Sequence, residues 1–98
     1  MNITQDDVLR AIFRAVDDAN KIASPDAQLI KDSSTVLIGE GGVLDSLGLI
    51  TFIVSIEEKL QDDLSVQAIV LDEAALVDPV GPYRTIDTLA SWILLRIG

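Results

Sequence analysis

The stretch GGVLDSLGLITFIVSIEEKL, residues 41–60, carries the strongest structural signal in the sequence. Two glycines lead to Asp45 and Ser46, and a long apolar run follows them. Within that run, one set of apolar residues recurs at the spacing of a single helix face: Leu49, Phe52, Ile53, Ile56 and Leu60. The pattern predicts a helix that begins near Ser46 and buries one face in the core of an all-α domain.

A second apolar set lies on another side of the same predicted helix. Leu47, Ile50 and Val54 are again three and four residues apart, and they lie about 100° or more around the axis from the first set. A surface helix in a small domain cannot easily bury both sets. Either a second layer of structure covers these three residues, or they are exposed for a partner.

The predicted helix start gives Ser46 a distinctive environment. The first N–H groups of a helix have no partner within it, and the helix dipole is positive at this end. A phosphate group attached there would be stabilised by both effects. Serine and aspartate are also favoured helix caps in general, so a simple capping role is the alternative for Asp45 and Ser46.

Three further helices are predicted around this one. A capping box at Thr4 and Asp7 begins a helix over residues 5 to about 20, Thr85 caps the last helix, and a short helix covers 73–77. Apolar residues at helical spacing mark the buried stripes of the two long ones: Val8, Ile12, Ala15, Val16 and Ala19, and Ile86, Leu89, Ala90, Ile93 and Ile97. The sequence therefore predicts a small four-helix bundle with three long helices and a short third one.

A long loop is predicted between the first two helices, over residues 21–45. Ser24-Pro25-Asp26 is typical of a helix start, with serine as the cap, but only Leu29 and Ile30 follow to be buried, so one turn is expected. Residues 36–38 are predicted to pin the remainder of the loop. A loop of this length in a compact domain is usually functional.

Distinctive residues also flank the central predicted helix, with glycines before it and acidic residues near its end. Gly39-Glu40-Gly41-Gly42 is nearly without side chains, and we expect it to approach a ligand or a partner backbone closely. At the other end, Gln61-Asp62-Asp63 is predicted to stop the helix, and Leu64–Leu71 to be extended.

Length and composition bound the function. A chain of 98 residues, 49% of them hydrophobic, predicts one domain over residues 1–98 with a single core. It has no cysteine and no histidine, which excludes disulfides, Ser-His-Asp triads and nearly all zinc sites, so we predict neither catalytic residues nor a metal. No apolar run reaches the roughly 18 residues of a membrane span, and no secretory signal is seen, so a soluble, cytoplasmic monomer is expected.

Negative charge is concentrated in the middle of the chain. The net charge is −9, and residues 40–78 contain nine acids against Lys59 alone, a net charge of −8. Such a field repels nucleic acid and anionic membranes and attracts basic protein surfaces. Solubility is the simpler explanation, but the concentration beside Ser46 favours a docking surface.

Asp45-Ser46-Leu47 at a helix start resembles the attachment site of the acyl and peptidyl carrier proteins, whose hallmark is Asp-Ser-Leu at the head of the second helix. The likeness extends to the glycine-bearing loop before it, to Glu57 and Glu58 near the far end of the helix, to the short third helix and to the capped last helix. It covers nearly the whole chain.

The resemblance implies that Ser46 carries a covalent 4′-phosphopantetheine arm derived from coenzyme A, with Asp45 and Leu47 completing the cofactor site. A separate phosphopantetheinyl transferase, with magnesium, would attach it, so the chain itself is not an enzyme. The thiol of the arm would hold acyl groups as thioesters. The implied partners are an acyl- or aminoacyl-loading ligase and downstream acyl-processing enzymes. The implied docking surface consists of Leu47, Ile50, Val54, Glu57 and Glu58.

Two departures from the pattern refine this expectation. Gly48 and Thr51 stand where carriers of fatty-acid synthesis usually have an acid, and the segment before the last helix is longer than theirs. Both favour a dedicated carrier in a specialised lipid or secondary-metabolite pathway. The alternatives are an aminoacyl or peptidyl carrier, and an unmodified acidic helical module for protein interaction.

Overall fold

Helices dominate the structure, a computed structural model that describes residues 3–39, 41–66 and 81–97, apart from the side chain of Ser46. The helices have these bounds: α1, Gln5–Ile22; α2, Ser46–Leu64; and α3, Ile86–Ile97. Strands are absent from these ranges, in which a single antiparallel bridge joins Val36 to Thr85. The predicted all-α class is confirmed, whereas the short helix predicted at 73–77 lies outside the described residues.

Helix α1 begins as its sequence predicts. The Asp7 amide donates to the Thr4 hydroxyl over 3.3 Å, and the Thr4 amide donates to the Asp7 carboxylate over 3.0 Å, which completes the capping box. The helix ends at Ile22, two residues beyond the predicted end, because the backbone becomes extended at Ala23. It contacts both of the other helices described.

Helix α2 buries the predicted face. All five of its members are at most 2% exposed: Leu49, Phe52, Ile53, Ile56 and Leu60. The helix continues through Leu64, one residue beyond the predicted stop at 61–63, and Leu64 packs against the core; residues 67–71 of the stretch predicted to be extended lie outside the described residues. It ends at Ser65, where the backbone turns left-handed with φ 55° and the amide donates to the Gln61 carbonyl. An ion pair between Arg14 and Asp63 holds this last turn to α1.

The other predicted stripes also reach the core. Nearly all of their members are buried: Val8, Ile12, Ala15, Val16, Ile86, Leu89, Ala90 and Ile93. Ala19 and Ile97 are half-buried at the margin. The core also contains Tyr83, which no periodic pattern indicates because it precedes α3. Its ring meets that of Trp92 edge-on, with the centroids 5.4 Å apart.

The first part of the long loop is fixed by a side chain of α1. Pro25–Ala27 form a single 3-10 turn, as predicted, although Ser24 does not cap it and instead donates to the Asp26 carboxylate over 2.7 Å. The Asn20 amide group donates to the carbonyl of Leu29 and accepts from its N–H, both over 2.8 Å. This clamp turns Leu29 into the core. The next residue of the extended chain therefore faces outward, and the prediction that Ile30 is buried is wrong, since it is 72% exposed.

The middle of the loop is bound to the start of α3 by three backbone hydrogen bonds, here called the loop–α3 bridge. The Leu37 amide donates to the Arg84 carbonyl over 2.7 Å. The Ile86 and Asp87 amides donate to the carbonyls of residues 35 and 33 over 3.1 and 2.8 Å. Leu37 is buried and its two neighbours are half-buried, which confirms that residues 36–38 pin the loop.

The cap of α3 is also as predicted. The Thr85 hydroxyl accepts from the Thr88 amide, and the Thr88 hydroxyl accepts from the Thr85 amide, both over 3.1 Å. Thr88 therefore takes the part that a glutamate plays in a standard capping box. In the described part of the chain, no helix combines the length and the apolar character needed to cross a membrane.

Candidate functional site

The start of α2 separates the roles of Asp45 and Ser46. Asp45 holds the capping position: its carboxylate accepts from the Gly48 amide over 2.7 Å, and its carbonyl accepts from the Leu49 amide over 2.9 Å. Ser46 is the first helical residue, so the capping alternative applies to Asp45 and not to the backbone position of Ser46. The side chain of Ser46 lies outside the described part of the structure.

The amides at this helix end suit an anion. Leu49 donates the first intrahelical hydrogen bond, and the Gly48 amide is taken by the cap. The amides of Ser46 and Leu47 precede that first bond and share the positive end of the helix dipole. A phosphodiester at Ser46 would therefore meet two backbone donors and a favourable field.

The glycine-rich segment 39–42, which leads towards α2, has a backbone conformation and a contact that require glycine. Gly39 and Gly41 have φ of 81° and 84°, a left-handed conformation that favours glycine. The Gly42 amide donates to the Gly39 carbonyl over 3.0 Å, and a Cβ at Gly42 would lie 2.6 Å from the Cα of Ile38. At Gly42 the absence of a side chain is needed for contact with Ile38 of the same chain, whereas the space around Gly41 is open; the approach of a ligand or partner stays a prediction. Glu40 lies outside the described residues.

The predicted docking residues form a line along α2. Leu47 is 74% exposed and Val54 is 45% exposed, so two of the three apolar members lie open. Ile50 is half-buried, as is Glu57, and Glu58 is exposed. From Leu47 to Glu58 the line extends about 16 Å along the helix axis. The second apolar set is therefore exposed at its two ends and partly covered in its middle.

A cleft that the sequence did not predict opens beside the same helix start. It has a volume of about 520 Å³ and lies between the last turns of α1, the 3-10 turn, residues 43–45 and the first half of α2. Three of its lining side chains are large, apolar and exposed: Ile22 at 82%, Val43 at 41% and Leu47 at 74%. The one signal for it in the sequence is Ala19, Ala23 and Ala27, small residues four apart whose short side chains leave room.

The charged groups of the cleft are two carboxylates with partners of their own. Asp18 pairs with the Lys59 ammonium at 2.6 Å and with Lys21 at 3.5 Å. The hydrogen bond from Lys59 holds the pKa of the Asp18 carboxyl below its usual range. Asp45 is bonded to the Gly48 amide. None of the described lining residues is a lysine or arginine; they are mostly apolar, with Thr51, Ser55 and the two bonded acids as the polar members.

Metal ligands do not converge within the described ranges, where no group of three acidic, histidine or cysteine side chains could hold an ion. Buried side-chain polar atoms in the same part of the chain all have hydrogen-bond partners. The described residues place three features side by side: an exposed apolar and acidic line on α2, a largely apolar cleft beside it, and an anion-favouring helix start between them.

Comparisons of this chain with family models, with curated proteins and with solved structures find no match.

Proposed function

We propose that this chain is an acyl carrier protein whose cargo is held as a thioester on a 4′-phosphopantetheine arm attached to Ser46. The observation that carries most weight is the division of roles at the start of α2. Asp45 supplies the cap, which leaves Ser46 as the first helical residue beside amides that favour a phosphodiester. A four-helix bundle belongs to the same proposal, since the short helix expected at 73–77 lies outside the described residues.

Attachment of the arm is a phosphoryl-type transfer from coenzyme A. The Ser46 hydroxyl oxygen forms a bond to the phosphorus on the pantetheine side of the pyrophosphate. The phosphorus–oxygen bond to the other phosphate breaks, adenosine bisphosphate leaves, and the hydroxyl proton passes to a base of the transferase. The chain has no histidine to act as that base, so catalysis is assigned to a separate enzyme with magnesium.

Delivery depends on weak and brief docking. Leu47 and Val54 would supply a small apolar contact, and the acids further along α2 would meet basic rims on each partner enzyme. Opposite charges speed association and make it sensitive to salt. The flexible arm would then raise the local concentration of the cargo at whichever enzyme is docked. The partners are the transferase, a loading ligase and acyl-processing enzymes of a specialised pathway.

Loading at Ser46 is tested by intact mass. After incubation with coenzyme A and a phosphopantetheinyl transferase of broad specificity, the wild-type chain is expected to gain the mass of one phosphopantetheinyl group. Ser46→Ala is expected to gain nothing, while the control Ser91→Ala, an exposed serine on α3, loads as the wild type does. A wild-type chain that stays unmodified with several transferases would overturn the carrier function and favour the unmodified interaction module.

Docking on α2 is tested by a charge in its exposed apolar line. Val54→Asp is expected to slow loading by about tenfold, since one well-placed apolar contact is worth ~1.4 kcal/mol. Because Val54 is 45% exposed, the melting temperature should change by less than about 4 °C. The matched control is Leu95→Asp on α3, also exposed, which should load normally. Equal loading rates for the two variants would show that partners dock elsewhere.

A further inference from the structure

We propose that the end of α1 is a second docking element for the transferase that loads Ser46, with Ile22 as its apolar contact. The inference rests on the proposed function and adds to α2 a surface on another helix. It is drawn from the way Ile22 continues the buried stripe of α1, from its position beside Ser46 and from the charges around it.

Ile22 is an apolar side chain that follows the core-facing stripe of α1 but is left uncovered. It comes after Ala15 and Ala19 at helical spacing, so it continues that stripe. Exposure rises along the stripe, from 0% at Ala15 through a half-buried Ala19 to 82% at Ile22. Across the cleft, the α2 wall includes Gly48 and Thr51, whose small side chains leave Ile22 open. The apolar stripe of α1 therefore extends one turn beyond the part of the core that α2 covers.

Exposed apolar residues from three separate segments meet at the cleft, and they are here called the apolar rim: Ile22 of α1, Val43 of the loop and Leu47 of α2. A patch built in this way is typical of an interaction site. Ile30 shows the contrast, because it is 72% exposed but does not line the cleft. Exposed apolar side chains that stand alone are ordinary on protein surfaces.

Position identifies the transferase as the occupant of the apolar rim. The same cleft lining includes Asp45 and Gly48, which come before and after Ser46 in the chain. An enzyme that brings coenzyme A to the Ser46 hydroxyl must therefore lie over this surface. Leu47 already belongs to the proposed docking line of α2, so the rim continues that line onto α1.

Charge gives the matching surface a basic border. Asp45 accepts from the Gly48 amide, and Asp26 in the 3-10 turn accepts from the Ser24 hydroxyl over 2.7 Å. Both carboxylates are thus bonded to uncharged donors, which leaves their negative charge to be met by the partner. The described residues that line the cleft include no lysine or arginine. The surface that fits the rim is an apolar contact bordered by lysine or arginine side chains.

Loading kinetics test the apolar contact. Ile22→Ser is expected to raise the KM of the transferase for this chain at least about tenfold, since the enzyme no longer covers an isoleucine side chain. The kcat should not change, because contact at the rim is made equally before and during the chemical step. The control Ile30→Ser changes the same residue type at a similarly exposed position and should load as the wild type does. Both variants should melt within about 4 °C of the wild type.

The outcomes of this experiment separate docking on α1 from the carrier function. A wild type that loads, with equal KM values for the Ile22 and Ile30 variants, would overturn the role of α1 and leave the carrier function in place. A wild type that is never loaded would overturn both. Ile22→Leu keeps an apolar side chain and should restore most of the lost affinity; a fall in kcat for Ile22→Ser with an unchanged KM would also overturn docking.

The basic border has a matched pair of its own. Asp26→Asn removes a charge next to Ala27 of the cleft lining, whereas Asp32→Asn removes one beside the loop–α3 bridge, and each carboxylate accepts from a serine hydroxyl. At low salt, Asp26→Asn should raise the KM about threefold and Asp32→Asn should leave it nearly unchanged. The difference should vanish at ~1 M salt, where charges are screened within about 3 Å. Equal effects of the two variants at low salt would overturn the basic border.

Contact with Ile22 can be observed directly with Ser46→Ala, which docks without turnover. On addition of a transferase of broad specificity, the methyl NMR signals of Ile22 and Leu47 are expected to shift, and that of Ile30 to stay in place. A shift of the Leu47 signal without one of the Ile22 signal would confine docking to α2 and overturn the inference.

Discussion

Replacing Ile53 with aspartate is expected to unfold the protein, whereas the same replacement at the neighbouring Val54 leaves it folded. Ile53 is fully buried and Val54 is 45% exposed. The Ile53 variant loses the apolar side chain and places an unpaired carboxylate in the core, which together cost about 5 kcal/mol or more. That is the lower end of the entire stability of a small domain. Circular dichroism at room temperature should show loss of helix for Ile53→Asp alone.

A milder change keeps this expectation measurable if Ile53→Asp cannot be purified. Ile56→Ala removes side-chain volume from another fully buried position and should lower the free energy of unfolding by about 2–5 kcal/mol in urea titrations. Leu95→Ala, at an 82% exposed position, should change it by less than about 0.5 kcal/mol. A folded Ile53→Asp together with an unchanged Ile56→Ala would mean that the buried stripe of α2 is rotated.

Gly42→Ala is expected to destabilise the protein by about 1–3 kcal/mol, because the new methyl group would overlap the backbone of Ile38. Three backbone atoms of Ile38 lie 2.6–2.7 Å from the Cβ position, and backbone cannot move aside as a flexible side chain can. The overlap also displaces the segment that leads to Asp45. The midpoint of urea unfolding should fall, and loading at Ser46 should slow.

Gly41 supplies the matched control for that variant. A Cβ at Gly41 meets nothing within 4 Å, but the φ of 84° strains any residue other than glycine. Gly41→Ala therefore costs about 1–2 kcal/mol through backbone strain, and Gly41→Asn should cost less because asparagine tolerates this conformation. At Gly42, asparagine should not be less destabilising than alanine, since the Cβ of either residue meets Ile38. A Gly42→Ala variant as stable as wild type would show that the loop relaxes freely.

The helices could be predicted from the sequence because a buried helix face requires apolar residues at a regular, short spacing. Residues on one face of a helix recur every three to four positions, so the stripe of α2 from Leu49 to Leu60 is visible without a structure. Caps are equally local: Thr4 and Thr85 act within three residues of themselves. The sequence pattern places the end of α2 one residue too early. Packing of Leu64 against the core outweighs the weak helix propensity of the two aspartates before it.

The partners of the loop residues and the cleft could not be predicted, since both depend on residues far apart in the chain. Leu37 gains its place from a hydrogen bond to Arg84, and Ile30 faces solvent because Asn20 clamps the residue before it. A cleft is space left between elements, and only the small residues that leave it, such as Ala23, are written in the sequence. The Asp45-Ser46 motif indicates the candidate site in the sequence. It does not indicate which of the two residues caps α2.

The loop–α3 bridge has a consequence for when the site becomes complete. Residues 33–37 leave the ribosome well before 84–87, and domains form as their partners emerge. Until the later residues arrive, the Leu37 amide has no Arg84 carbonyl to bind, and the turn that leads into α2 is unfinished. If the proposed transferase recognises this turn together with the helix start, loading of Ser46 is expected only on chains whose synthesis has passed α3.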